Sequence, residues 1–238
     1  MRQIRYDISA MNDIPERLAR VHDRIRAAAV ASGRRPEDVA LLAVSKTKPA
    51  SDVLAAYHAG QRWFGENYLQ DALPKIRELA NTDIEWHFIG HMQSNKAPEI
   101  SRYFAWVHGL DQLRHAERLS ERRPAELPPI QACLQVNLSG EASKGGVAPN
   151  ALPELAHQIH RLPGLRLRGL MTMPDPNSDR ETQRRVFARL RGLLVELRGQ
   201  GLDLDTLSMG MSGDMEDAIA EGATIVRIGT DIFGARAP

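Results

Sequence analysis

Leu41-Leu42-Ala43-Val44-Ser45-Lys46-Thr47-Lys48-Pro49 is the stretch on which the fold turns. Four apolar residues stop abruptly in a polar, proline-ended segment, and a helical pattern over Ser51 to Ala59, closed by Gly60, follows. A short unbroken apolar run bounded in this way reads as a strand buried on both faces. The same signature recurs along the chain. Buried strands are predicted at Val39 to Ser45, Arg62 to Gly65, Glu85 to Gly90, Trp106 to Leu110, Ile130 to Asn137, Leu165 to Thr172, Thr206 to Met209 and Ile225 to Gly229. Helical patterns at Leu69 to Ala80, Gln112 to Arg123, Ala151 to Arg161, Arg180 to Gln200 and Asp214 to Glu221 lie between them. Parallel strands need such crossovers, and eight strand–helix units in a chain of 238 residues match a single (β/α)8 TIM-type barrel. An open doubly wound sheet is the alternative, but the first turn, Ser45 to Pro49, lacks the glycine pattern of a dinucleotide fold.

Upstream, Ile14, Leu18, Val21, Ile25 and Ala29 recur at helical spacing, with Pro15 near the start and Gly33 as the stop, so an extra N-terminal helix precedes the barrel. No long linker interrupts the sequence, and one domain over residues 1–238 is expected.

The 31 Lys and Arg against 30 Asp and Glu leave a net charge of +1, which disfavours a nucleic-acid or anionic-membrane partner. The single Cys133 excludes an intramolecular disulfide framework and a multi-cysteine zinc site. Residues 1–13 are polar and no apolar run approaches the ~20 residues of a membrane helix, so a cytoplasmic protein is expected.

In a barrel, reactive groups gather where the strand C-termini converge. Lys46 emerges there from an apolar strand, where partial desolvation favours a neutral amine able to form a Schiff base. From spacing alone a solvated strand end is the commoner reading. Ser208-Met209-Gly210-Met211-Ser212-Gly213 and Gly229-Thr230 follow the last two strands, as glycine and hydroxyl residues do in phosphate-binding turns, although Ser212 also suits a helix cap. His87 and His91 lie four apart, but on a strand that spacing separates them by ~13 Å, so no metal site is assigned.

Ala43-Val44-Ser45-Lys46-Thr47-Lys48-Pro49, Phe64-Gly65-Glu66-Asn67-Tyr68, Trp86-His87-Phe88-Ile89-Gly90-His91-Met92-Gln93-Ser94-Asn95-Lys96, Leu207 to Ser212 with Asp214-Met215, and Val226 to Thr230 through Ile232-Phe233-Gly234 resemble the pyridoxal phosphate homeostasis protein family in order and spacing. The resemblance implies a barrel like the N-terminal domain of alanine racemase, holding pyridoxal 5′-phosphate (PLP) as an aldimine of Lys46. Carried over by position, it implies phosphate contacts at Ser212 and the Gly229-Thr230 turn, Arg227 near the pyridine nitrogen, Asn67 beside the ring, and further contacts at Ser208 and Met209. Asp231 stands where many relatives carry a small residue, and a carboxylate beside a phosphate is unfavourable unless it turns away. Lys144 matches a family lysine, readable as a second acceptor for PLP or as a solvated loop residue.

The resemblance further implies a protein of PLP homeostasis and delivery, a monomer without robust turnover, with apo-PLP-dependent enzymes as transient recipients and no catalytic residue. An amino-acid racemase is the alternative. It needs a second base, which fold relatives draw from a further domain and a partner subunit, and a chain ending at Pro238 just after the eighth strand is read as leaving no room for one.

Overall fold

The computed structural model describes residues 13–139 and 145–235, and within them each predicted apolar run forms one stave of a closed barrel. Helix α1 (Ile14–Ala31) leads into β1 (Ala40–Val44), α2 (Ala50–His58), β2 (Trp63–Glu66), α3 (Leu69–Glu78) and β3 (Glu85–Phe88). Helix α4 (Ala97–Tyr103), β4 (Trp106–Leu110), α5 (Leu113–Arg122), β5 (Ile130–Gln135), α6 (Leu152–His160) and β6 (Leu165–Met171) follow. The last units are α7 (Arg180–Gly199), β7 (Thr206–Ser208), α8 (Met215–Ala220), β8 (Ile225–Ile228) and the one-turn α9 (Thr230–Phe233). All neighbouring strands are parallel, and β8 returns to β1 with Ala40 opposite Ile225 and Ala43 opposite Ile228.

Side chains alternate across this wall, so the apolar residues divide into two clusters. Leu41 and Ala43 face outward into the large core between strands and helices, whereas Leu42 joins Trp106, Cys133, Met171 and Ile225 inside the barrel. Burial pushes the Cys133 thiol up to about 12, so it stays a neutral packing group.

The N-terminal helix packs Ile14, Leu18, Val21 and Ile25 into the outer core. Helix α4, which the sequence pattern did not reveal, has only seven residues and too few apolar positions to show a period. The fifth strand ends at Gln135 instead of the predicted Asn137: Val136 N–H still donates to Met171 O at 2.8 Å, but Val136 also bridges Val147 and Asn137 N–H turns to Val147 O at 3.0 Å.

Candidate functional site at the barrel mouth

A cavity of about 860 Å³ opens at the C-terminal ends of the strands. Lys46, Asn67, Ser212, Arg227, Gly229 and Thr230, brought from the ends of β1, β2, β7 and β8, share its wall. Ser208 and Met209, also expected near the ligand, do not line the cavity. Ser208, the last residue of β7, is fully buried beneath the cavity, and Met209 is turned outward into the helix-facing core. Lys144 lies outside the described residues.

Lys46 is half-buried directly after β1. The Lys48 N–H donates to Ser45 O at 3.0 Å, closing a turn with Lys46 and Thr47 at its centre. Thr47 adopts φ 65, a left-handed conformation that is uncommon for a β-branched residue. The Lys48 ammonium, also on the wall, donates to Ala235 O at 2.9 Å. In the adjacent loop after β2, Asn67 Oδ1 is buried and has no hydrogen-bond partner among the described residues. A Cβ on Gly90 would sit 2.0 Å from Asn67 O, so only glycine lets the loop after β3 approach the loop after β2 this closely.

Arg227 supplies a buried cation. Its Nη1 donates to Ser208 Oγ at 2.9 Å and its Nη2 to Thr172 O at 3.0 Å, which leaves other guanidinium N–H groups for the cavity. Burial lowers its pKa to about 10, still protonated at neutral pH. Behind it runs a polar chain that no sequence motif announced. Ser208 Oγ lies 2.8 Å from His108 Nδ1, and His108 Nε2 lies 2.9 Å from His87 Nδ1. His87 Nε2 stands 3.4 Å from Glu85 Oε1, longer than a good hydrogen bond, and that oxygen also accepts from Trp106 Nε1 at 2.9 Å. An arginine can only donate and an ionised carboxylate can only accept, so the chain has one direction: Ser208 donates to His108, His108 to His87, and His87 points its Nε2–H toward Glu85. Burial lowers the pKa of both imidazoles and keeps them neutral. His87 and His91 therefore form no pair: His87 is buried in this interior chain, while His91 is exposed on the cavity wall.

The other end of the mouth gathers hydroxyl and glycine residues from the turns after β7 and β8. Ser212 lines the cavity and does not cap a helix, since Asp214 occupies the position before α8 and its Oδ1 accepts from Met211 N. Gly229 sits tightly against β1, where an added Cβ would meet Val44 O at 3.1 Å. Asp231 points away from the cavity. Its Oδ2 accepts from Arg24 Nη1 at 2.5 Å, while Arg24 also donates to Glu216 and to Ser212 O. A single arginine of the N-terminal helix thus ties together the turns after β7 and β8.

A family model, alanine racemase N-terminal domain, matches residues 17–237. The chain is 60% identical over 226 residues to the pyridoxal phosphate homeostasis protein of Pseudomonas aeruginosa, covering 95% of this chain and 97% of that one. The chain belongs to the pyridoxal phosphate homeostasis protein family. The family member of Escherichia coli K12 is 53% identical over 229 residues, covering 95% and 98%. Among solved structures, PipY of Synechococcus elongatus with PLP bound superposes with a TM-score of 0.81 at 38% identity, covering 93% of this chain and all of that one. Alanine racemase of Corynebacterium glutamicum shares the fold alone, with a TM-score of 0.69 at 17% identity over 92% of this chain and 62% of its own. Among the described residues no helix is long and apolar enough to cross a membrane.

Proposed function

We propose that this protein binds PLP in the mouth cavity through Lys46 and serves cytoplasmic PLP homeostasis and delivery, as a monomer, without robust turnover of its own. The observation that carries the reading is the convergence of Lys46, Asn67, Arg227, Ser212, Gly229 and Thr230 on one wall. Their donors suit the group. The cavity offers a primary amine for an aldehyde, a buried guanidinium for a ring nitrogen, and hydroxyls with a close-packed glycine backbone for a phosphate. Asn67 Oδ1, buried with no hydrogen-bond partner among the described residues, marks a polar contact left for a ligand. That a relative of 38% identity is solved with PLP bound supports the same ligand here.

PLP supplies an aldehyde that condenses reversibly with primary amines and, when its ring is protonated, an electron sink. Lys46 would hold the aldehyde carbon, and Ser212 with the Gly229-Thr230 turn would hold the phosphate. Arg227 only donates, so it would favour an unprotonated ring nitrogen and a weak sink. Retention without activation suits a carrier. The racemase alternative rests on shared fold at low identity, which says nothing of activity.

The test is the visible spectrum of purified protein loaded with PLP, followed by borohydride reduction and peptide mapping. We expect one labelled site, Lys46, and no label in Lys46→Ala. Label on Lys48 or Lys144 would refute the assignment. Sustained alanine racemisation at or above ~1 s⁻¹ would refute the carrier reading.

A further inference from the structure

Ser45, the residue before Lys46, has each of its polar atoms held. Its N–H donates to Gly65 O at 3.0 Å, and its hydroxyl donates to Glu66 Oε1 at 2.5 Å. Its carbonyl accepts twice, from Lys48 N–H at 3.0 Å and from Lys75 Nζ at 2.9 Å. Lys75 Nζ, reaching in from α3, also donates to Glu66 Oε1 at 2.5 Å. The pair is shut away from water, with side-chain exposure of 6% for Lys75 and 0% for Glu66.

This pair is poorly built for stability alone. Glu66 Oε2 is buried and has no hydrogen-bond partner among the described residues, and a buried ion pair is commonly matched or bettered by apolar residues of the same volume. The site it grips is the strained one. Thr47 holds φ 65 in the turn closed on Ser45 O, and such a conformation persists only where the surroundings over-determine it. The carbonyl that closes the turn is the atom Lys75 binds, and the hydroxyl on the same residue is the one Glu66 binds.

We propose that Lys75 and Glu66 are positioning residues for Lys46, pinning the Ser45–Lys48 turn so that the Lys46 amine enters the cavity in one direction. The proposal rests on Lys46 being the reactive amine. Lys75 is no rival for that part, since it is buried, paired with Glu66 and absent from the cavity wall. A turn free to relax would still carry the amine but would present it in many directions, and small misplacements of a reacting group slow reaction steeply.

The double variant Glu66→Gln with Lys75→Met removes both charges together and strands neither. Three measurements compare it with the natural protein: thermal unfolding, hydrogen exchange at the Lys48 amide without ligand, and the rate at which added PLP becomes fixed to Lys46 under borohydride. We expect cooperative unfolding to survive, Lys48 exchange to accelerate about tenfold, and fixation to slow about tenfold or more. Fixation on Lys46 at the natural rate overturns the proposal, whether or not exchange changes. Should the double variant fail to fold, Ser45→Ala removes only the hydroxyl link and should slow fixation about threefold with unfolding unchanged; a natural rate there overturns it equally. The two readings fail differently. Label on another lysine in the natural protein refutes the Lys46 assignment and the clamp with it, whereas label on Lys46 with unaltered rates in the variants refutes the clamp alone.

Discussion

Two residues show how closely the cavity wall is specified. Gly90 faces Asn67 O across a gap that a Cβ would reduce to 2.0 Å, a distance at which backbone must move. Gly90→Ala should displace the Asn67 loop, lower stability by about 1–3 kcal/mol and weaken PLP binding about tenfold or more. Gly199→Ala, whose Cβ enters open space at the end of α7, is the control for both thermal unfolding and PLP titration. An unchanged PLP dissociation constant in Gly90→Ala would show that Asn67 does not touch the ligand. The polar chain behind Arg227 makes a second residue-scale prediction. Because the Glu85 carboxylate beside His87 Nε2 can only accept and both imidazoles are neutral, long-range nitrogen-15 spectra should show bare Nδ1 and protonated Nε2 on both His108 and His87. A protonated His108 Nδ1 would mean that Ser208 directs its hydroxyl elsewhere.

At the scale of elements, the helix that precedes the barrel has a part in the site. Arg24 of α1 holds Asp231 of α9, Glu216 of α8 and the Ser212 carbonyl at once, so it both joins the turns and faces a carboxylate away from the cavity. Exposed ion pairs contribute little to stability, about 0–1 kcal/mol, so Arg24→Ala should unfold within a few degrees of the natural protein. Its PLP affinity should nevertheless fall several-fold, and the loss should shrink at high salt as the freed Asp231 charge is screened. The double variant Arg24→Ala with Asp231→Ala should recover most of the affinity. Equal PLP binding in natural protein and Arg24→Ala would separate the helix from the site.

For the whole molecule, the buried histidines make stability depend on pH. His87 and His108 are neutral in the fold because burial lowers their pKa, whereas in the unfolded chain each titrates near its ordinary 6.5. Below that value the unfolded state binds more protons, so stability is intact above about pH 7 and is lost as pH falls. Each histidine can remove up to about 1.4 kcal/mol per pH unit below 6.5. Denaturant unfolding between pH 7.5 and 5.5 should show the decline, and His108→Gln should reduce its slope. A flat profile over that window would mean the imidazoles are not held neutral.

The barrel was legible in the sequence because burial on both faces of a parallel sheet leaves unbroken apolar runs, and crossover helices leave a different period between them. Lys46, Ser212, Gly229 and Thr230 stood out as candidates where apolar runs give way to polar or glycine residues, whereas Asn67 and Arg227 were singled out only by the family resemblance. Tertiary structure decided what depends on closure. Only closing β8 onto β1 puts Lys46 and Arg227 on one wall, and only the alternation of side chains across that wall sends Ser208 beneath the cavity and Met209 outward. His108, Lys75 and Arg24 sit within ordinary strand and helix patterns, where nothing local distinguishes them from other polar residues. Their roles come from partners 100, 30 and 207 residues away. Periodicity records which face of an element is buried, but a hydrogen bond across the barrel is a relation between elements that no local pattern carries.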